Sequence, residues 1–415
     1  MSEPGTILIV GGGASGMMAA LTALQNPAST VLLAERQARL GRKLLSTGNG
    51  RCNLTNRGAS PGRYHGQHPE FCRFALESFS VENTLDFFAA LGLETVTEPD
   101  GKVYPRSNMA NSVLDVLRFG LEGYGGRLRL LTGDPVKTLR RMGGYFSAAL
   151  ESGLRLTEIT HVILAAGGAA GSKVGGVPDG YRLAKALGHH RTALYPALVQ
   201  LKTEPTYPRA LKGVKTPAHV CLYRGHEMLA ENNGEILFTE YGVSGPAIFE
   251  ISRCTAGEEG ITLSLDLWAE KTEEEITGWL LRRCRAAAAG EELTCGKVFT
   301  GVLHSRLGQM VVKYAGVSTH SGLFCDLTES DARRLAHACK HFTLPVTGTC
   351  GFDQAQVTAG GLDTAEFDPR TLESRLVPGL YACGEVLDID GDCGGFNLQW
   401  AWSSGHLAGL LSGKA

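Results

Sequence analysis

Residues 5–16 read GTILIVGGGASG, an apolar run from Thr6 to Val10 that glycines stop before Met17 to Leu24 resumes with helix formers. The pattern predicts a buried strand, a tight turn and a helix. Gly11, Gly13 and Gly16 fit the G-x-G-x-x-G spacing, in which the first glycine turns the chain, the second admits a pyrophosphate and the third lets helix and strand pack closely. Ala14 and Ser15 then occupy the helix N-terminus, where unpaired N–H groups and the helix dipole attract a dianion. Working outward, Val31 to Ala34 is a second apolar strand ending in Glu35, placed to accept hydrogen bonds from the ribose hydroxyls of an adenosine. The acid disfavours a 2′-phosphate at this site, and Arg36 beside it does not reverse that preference.

The next stretch, Gly41 to Asn56, reads GRKLLSTGNGRCNLTN, with no acid and three bases, Arg42, Lys43 and Arg51. It is too rich in glycine and asparagine for a continuous helix. It is expected to close over phosphates and a polar ring edge, with Ser46, Gly48, Asn49, Gly50, Asn53 and Thr55 as small donors and acceptors. Cys52 is read as a packed thiol that also lies within this cofactor loop. Further on, Val136 is placed to meet an adenine ring, and the strand His161 to Ala166 breaks at Gly167 and Gly168 as a second glycine turn. The far end repeats the same grammar: Leu380 to Cys383 is a strand, Gly384 and Glu385 its turn, and Phe396 to Leu411 a helix behind Gly394 and Gly395. Asp388, Asp390 and Asp392 lack the glycine and terminal glutamate of an EF-hand loop, so a helix N-terminus aimed at a cofactor is the better reading.

The middle of the chain is different. Phe71 to Leu91 and Ser112 to Glu122 read as amphipathic helices, Asp100–Gly101 and Gly143 as hairpin turns, and Asp179 to Leu187 as a helix. Short strands at Leu194 to Leu201, His219 to Tyr223, Glu235 to Thr239 and Ile261 to Leu265 predict an all-β domain, with a barrel among its forms. Phe238 to Pro246, FTEYGVSGP, carries Tyr241, which reads either as hinge packing or turn formation or as a ligand-facing aromatic. Helical signals follow at Thr272 to Leu281, Arg282 to Ala289, Lys297 to Leu307 and Ser330 to His341, the first opening on a Thr272/Glu275 capping box. Arg282, Arg283 and Arg285 are too few, and too poor in aromatic neighbours, for a nucleic-acid patch. His337 and His341 are four apart and share a helix face, but no third ligand is evident in the sequence, so no metal is expected.

Composition narrows the class. The chain has 415 residues, enough for two or three domains, with 43% hydrophobic and 20% charged residues and a net charge of -2. That charge gives no general argument for nucleic acid or an anionic membrane. No apolar run approaches about 20 residues, and no basic leader with a cleavage site precedes the first strand. The 11 cysteines include no C-x-x-C pair, which favours reduced thiols and a cytoplasmic setting.

The extended orders GRKLLSTGNGRCNLTN and GEVLDIDGDCGGFNLQWAWSSG, with the opening glycines, Glu35, Phe238 to Pro246 and Val357 to Gly361, strongly resemble the HI-type family of predicted NAD(P)/FAD-dependent flavoproteins, the BaiN-like or aminoacetone-oxidase-like proteins. The resemblance spans nearly the whole chain. It implies an α/β fold: a Rossmann-like split FAD-binding domain (1–193 and 353–415), an inserted β-barrel-like domain (194–271 and 342–352) and a small helical domain (272–341). It raises FAD above NAD as the resident cofactor, a choice the glycines alone leave open. The flavin-binding residues it implies are Gly11, Gly13, Gly16, Glu35, Arg42, Lys43, Asn49, Arg51, Asn53, Val136, Gly167, Gly384, Glu385, Phe396, Asn397 and Leu398. Ala14, Ser15, Arg36, Ser46, Gly48, Gly50, Cys52, Ala166, Asp392 and Gly395 complete the expected set. The implied activity is hydride transfer from NADH or NADPH, bound transiently, through flavin to an activated C=C or related acceptor of a small-molecule substrate. An oxygen-using amine or hydroxy-compound oxidase and a redox-regulated RNA- or protein-binding module are the alternatives. Tyr241, Arg106 and Cys52 are the groups to inspect for acid–base chemistry, none of them assigned, and the oligomeric state is open.

Overall fold

In the computed structural model, which describes residues 5–286, 294–317 and 326–411, Gly5–Val10 is the middle strand of a five-stranded sheet. The order is Leu380–Ala382, His161–Leu164, Gly5–Val10, Ser29–Glu35 and Leu128–Thr132, all paired in parallel. Ile7, Leu8 and Ile9 are buried, as continuous apolar runs must be in a parallel sheet covered on both faces. The edge strand comes from the other end of the chain, with Val162 opposite Leu380 and Leu164 opposite Ala382. The sheet is therefore completed only when the C-terminal segment returns to it.

The helices Ala14–Ala23 and Phe396–Gly409 pack against each other through small residues. A Cβ on Gly405 would lie 2.5 Å from the Ser15 carbonyl oxygen, and one on Gly409 2.6 Å from that of Ala19. These two glycines, four apart, let the backbones approach. The rest of the Phe396–Gly409 helix is buried on nearly every side, including Gln399, Trp400, Trp402, Ser403 and Ser404. Its polar groups are satisfied at long range: Thr55 Oγ1 donates to Gln399 Oε1 at 2.6 Å, Gln399 Nε2 donates to Thr84 Oγ1 at 2.9 Å, and Trp402 Nε1 donates to the Leu54 carbonyl at 2.8 Å. Buried polar groups of this kind cost stability unless paired, so the network specifies how the last helix seats.

The contacts divide the chain into two units, Met1–Pro196 with Gln356–Ala415, and Ala197–Ala355. The second unit contains a closed six-stranded barrel in the order Leu201–Thr203, Gly242–Ser244, Glu227–Phe238, Lys215–Arg224, Ile261–Asp266 and Phe342–Thr349. Its core is built from Leu201, Val220, Leu222, Ile236, Phe238, Leu263, Leu265 and Phe342, all fully buried. The helices Glu273–Ala286, Ser305–Tyr314 and Glu329–Lys340 belong to the same unit. The expected capping box forms, with Thr272 N donating to Glu275 and Glu275 N donating to Thr272 Oγ1.

Two sequence expectations need correction. The strand foreseen over Leu194 to Leu201 is two short strands, Tyr195–Ala197 and Leu201–Thr203, because Leu198 adopts a left-handed backbone with φ 49°. The helix foreseen over Lys297 to Leu307 is a 3-10 turn at Cys295–Lys297 and a helix that starts only at Ser305, with Gly301 at φ 90° between them. The end of the helical signal over Arg282 to Ala289 lies outside the described residues from 287 onward. None of the ten described cysteines is in a disulfide, and no described helix is long and apolar enough to cross a membrane.

A histidine clasp in the first unit makes stability depend on pH. The His189 ring is fully enclosed, with Nδ1 2.8 Å from Glu366 Oε2, Nε2 2.8 Å from Ser374 Oγ and Phe367 stacked on its face. Ser374 Oγ also accepts from the Leu376 and Val377 N–H groups, so its own proton goes to His189. Buried, with Ser374 Oγ already accepting from two backbone N–H groups, this Ser–His–Glu chain serves as a structural clasp. Burial pushes the pKa of His189 down against the pull of Glu366, and burial likewise lowers His161 and His406. All three folded-state values lie below the ordinary 6.5, so the unfolded chain binds more protons below about that pH. Their contribution to stability is complete above pH ~6.5 and is lost as pH falls toward the folded values. Thermal unfolding followed by circular dichroism is expected to give a steady midpoint from pH 8 to 7 and a falling one from pH 6.5 downward. A flat profile to pH 5.5 would refute this assignment.

Candidate FAD site

Gly11 and Gly16 adopt the turning and packing roles their spacing implies, and Gly13 leaves open space. Gly11 turns the chain at φ 112°, a conformation that side chains rarely accept. A Cβ on Gly16 would come within 1.9 Å of the Gly11 carbonyl oxygen, whereas one on Gly13 meets nothing within 4 Å. Close packing is thus needed at the third glycine, and open approach is kept at the second. Gly13 caps the Ala14–Ala23 helix without a side-chain hydrogen bond, and the first intrahelical donor is Met17 N to Gly13 O. The N–H groups of Ala14, Ser15 and Gly16 are the ones a helix leaves for an anion.

Glu35 sits at the end of the neighbouring strand with one carboxylate oxygen accepting from Gly12 N at 2.8 Å and the other from Gln37 N at 2.7 Å. These backbone donors hold the carboxylate beside the glycine turn and leave lone pairs for the ribose hydroxyls. Arg36 instead pairs with Asp179 at 3.4 Å on the surface. The Gly41–Asn56 loop is attached by Gly41 N donating to Gly12 O, and it runs through left-handed residues at Gly48, Asn49, Gly50 and Cys52. Such a run needs glycine and asparagine, which explains a composition unsuited to helix or strand.

The bases of this loop have protein partners. Arg42 donates to Gln37 Oε1 at 2.9 Å, Lys43 pairs with Glu385 at 2.6 Å, and Arg51 pairs with Glu98 at 2.6 Å while lying over the Tyr104 ring. Lys43 and Glu385 thereby tie the first cofactor loop to the last glycine turn, 342 residues away. Glu385 also accepts from Thr358 N, and Thr358 Oγ1 from Ala170 N, so the Val357–Ala359 strand and the Gly167–Gly168 turn join the same assembly. A Cβ on Gly168 would strike Thr358 and Glu385, but Gly167, at φ 71°, has open space around it. Ala166 packs against Gly180, and Val136 is buried at the start of its strand. Ser46 Oγ donates to the Lys43 carbonyl, while the Asn53 side chain lies beside Gly48.

Cys52 is fully buried, and burial pushes its thiol up to about 12 despite a hydrogen bond with Thr47. It is a neutral thiol at physiological pH and has none of the character of a reactive thiolate.

The C-terminal half of the cradle starts at Gly384, whose N–H donates to Ser404 Oγ and whose carbonyl accepts from Trp400 Nε1. A Cβ there would lie 2.5 Å from Ser15 Oγ, which places this turn against the start of the first helix. Gly395, at φ 106°, begins the Phe396–Gly409 helix with no side-chain cap and no acid in the first turn. The Asn397 side chain clamps the preceding loop: its Nδ2 donates to the Gly391 carbonyl at 2.7 Å and its Oδ1 accepts from Gly391 N at 2.8 Å. Phe396 is held by Tyr64, whose hydroxyl donates to its carbonyl and whose ring meets it edge-on. Leu398 is partly buried against the core. Burial raises the Asp392 carboxyl, but hydrogen bonds and charge from His65 and Arg63 outweigh it and hold the group below its ordinary value. Among the described residues Asp388, Asp390 and Asp392 do not form one of the groups with ligand spacing.

Two uncapped helix N-termini, a ribose carboxylate and an open glycine turn, all within one unit, fit an FAD: a dianion, a ribose and a ring that gains charge on reduction. Tyr64, Thr358 and Gln399 carry no individual signal in the motifs above. The small-residue contact of Gly405 and Gly409 has one outside those motifs, since glycines four apart in a helix mark a close backbone approach.

A family profile described as "HI0933-like protein Rossmann domain" matches residues 5–411. The chain is 39% identical over 415 residues to a 3-dehydro-bile acid delta(4,6)-reductase of Clostridium scindens, covering 98% of each. It is 30% identical to a ribosomal RNA dihydrouridine synthase of Escherichia coli, covering 96% of this chain and 95% of that one. The protein of the same description from Haemophilus influenzae is 27% identical, with 99% of each covered.

Proposed function

The chain belongs to the HI0933-like family of FAD-dependent oxidoreductases, and from that premise we propose that it saturates a C=C bond conjugated with a carbonyl in a small organic substrate, using NADH or NADPH. An FAD held by the Gly11–Gly16 turn, Glu35 and the N-termini of Ala14–Ala23 and Phe396–Gly409 would supply two-electron hydride chemistry between a nicotinamide and the electron-poor carbon. The observation that carries the reading is the uncapped N-terminus of Phe396–Gly409. Its free N–H groups and dipole favour added negative charge, the charge that a two-electron reduction brings to a flavin ring. The substrate class is supported by the names of the relatives. A delta(4,6)-reductase of a 3-dehydro bile acid and a dihydrouridine synthase both describe removal of a C=C conjugated with a carbonyl.

Saturating a conjugated C=C also needs a proton at the second carbon. Tyr241 lies in the Ala197–Ala355 unit, 40% exposed, and its hydroxyl donates to Gln200 Oε1 at 2.6 Å, so its proton already has a protein acceptor. Burial and the neighbouring Cys350 push its pKa up.

The test of the function is anaerobic. The purified holoenzyme is mixed with NADH or NADPH and then with a 3-oxo-4-ene steroid, a 3-oxo-4,6-diene bile acid or a uridine-containing ribosomal RNA fragment, while flavin absorbance is followed. Rapid bleaching by a nicotinamide and rapid recovery with an enone supports the proposal. Recovery with RNA alone moves the assignment to the second reading, RNA uridine reduction, which rests on the two synthase relatives. Bleaching by an amine and by neither nicotinamide supports an oxidase. The absence of a disulfide among the described cysteines fits a cytoplasmic setting for this chemistry.

A further inference from the structure

The helical part of the second unit holds a histidine pair that the flavin chemistry does not use, and the fold gives it the partner that the sequence did not show. His337 and His341 sit one turn apart at the end of Glu329–Lys340, with ring centroids 4.7 Å apart. Glu273, the first residue of Glu273–Ala286, reaches between them: its Oε1 is 3.1 Å from His337 Nδ1 and 3.1 Å from His341 Nε2. Among the described residues this carboxylate pairs with no lysine or arginine. The nearby bases are already engaged, Lys340 with Asp266 at 2.6 Å, Lys271 with Glu275 at 3.0 Å and Arg333 with Glu329 at 2.8 Å.

We propose that Glu273, His337 and His341 form a binding site for a borderline divalent transition-metal ion, zinc in the first instance. The three candidate ligand atoms lie within 4.8 Å of one another. Zinc bonds of about 2.0–2.1 Å to nitrogen or oxygen in a tetrahedral site put neighbouring ligands about 3.3 Å apart, so the two 3.1 Å separations need almost no adjustment. Two neutral imidazoles and one carboxylate are a donor set that zinc accepts, with one position left for water. His337 also lines a groove of about 710 Å³ that includes Glu274, Thr277, Tyr314 and Arg333, so solvent reaches the remaining position. The ion would replace one hydrogen bond, from His337, and one ion-pair contact, from His341, to a shared oxygen with three metal–ligand bonds, and it would cross-link segments whose ligands Glu273 and His337 are 64 residues apart in the chain. A second group, His219, Cys221 and Glu231, also has ligand spacing, on the paired barrel strands Lys215–Arg224 and Glu227–Phe238, and serves as the internal comparison.

Zinc titrated calorimetrically into the FAD-loaded protein tests the site. Expected are one saturable equivalent and a rise in the thermal midpoint at saturation, since an ion that binds only the folded state stabilises it. Affinity is expected to fall at least tenfold in His337→Gln, His341→Gln and Glu273→Gln, exposed or half-exposed positions that should fold normally, and to remain unchanged in His219→Gln. Flavin content, read from absorbance, should be equal in all of them. No saturable binding, or binding that survives the His337→Gln/His341→Gln double variant, would overturn the proposal. Loss of binding in His219→Gln would overturn it in favour of the other cluster.

Discussion

Gly16→Ala is expected to break the first unit itself and not merely weaken its ligand. The added Cβ would sit 1.9 Å from the Gly11 carbonyl oxygen and 3.3 Å from Ala165 Cβ. No flexible side chain end is available to yield. The Gly11 carbonyl belongs to a turn that is itself pressed on the next strand, where a Cβ on Gly11 would lie 2.3 Å from Ala165 O. Relief therefore requires the Ala14–Ala23 helix to move off a strand whose Leu8 and Ile9 are fully buried. Overpacking typically costs about 1–3 kcal/mol and occasionally more, and a backbone collision belongs at the upper end. At about 2–4 °C per kcal/mol for a unit of this size, the thermal midpoint should drop by roughly 10 °C, or the variant should fail to accumulate. A midpoint within a degree or two of wild type would show that the helix does not pack here as described.

Gly13→Ala is expected to do the reverse. Its backbone, at φ -78° and ψ -167°, suits any residue, and the added methyl meets no protein atom within 4 Å. Stability of the FAD-free protein should match wild type or rise slightly, because alanine restricts the unfolded chain more than glycine does. The space the methyl takes is the approach a pyrophosphate needs to reach the N–H groups of Ala14, Ser15 and Gly16. Several charge-assisted hydrogen bonds lengthen together, each worth about 1.5–3 kcal/mol. A loss of FAD affinity of at least a hundredfold, about 2.7 kcal/mol, is expected from flavin fluorescence titration. Wild-type affinity in this variant would place the pyrophosphate elsewhere.

These two glycines were legible because their constraints are local: three glycines at fixed spacing between a strand pattern and a helix pattern leave few geometries open. Glu35 was legible for the same reason, at the end of the adjacent parallel strand. The barrel could be foreseen from turn spacing, but the break at Leu198 could not, since nothing in a leucine announces a left-handed backbone. The bases Lys43 and Arg51 were read as phosphate ligands from composition, and the structure shows carboxylate partners for both. Those partners, Glu385 and Glu98, are set by topology and have no signature in the loop. The same holds for Gln399, whose polar contacts to Thr55 and Thr84 span more than 300 residues. It holds again for Glu273, which completes a histidine pair from another helix.

Both chain ends build the proposed flavin cradle, with the Phe396–Gly409 helix seated on the Ala14–Ala23 helix through Gly405. Gly405→Val tests it, because the new side chain would begin 2.5 Å from the Ser15 carbonyl and 3.1 Å from Met18 Cβ, inside that contact. Its FAD dissociation constant should be measured beside that of Leu263→Ala, a cavity variant in the barrel core, at a temperature where both remain folded. At least a tenfold loss of FAD affinity is expected in Gly405→Val and none in Leu263→Ala. Wild-type FAD affinity in folded Gly405→Val would contradict it.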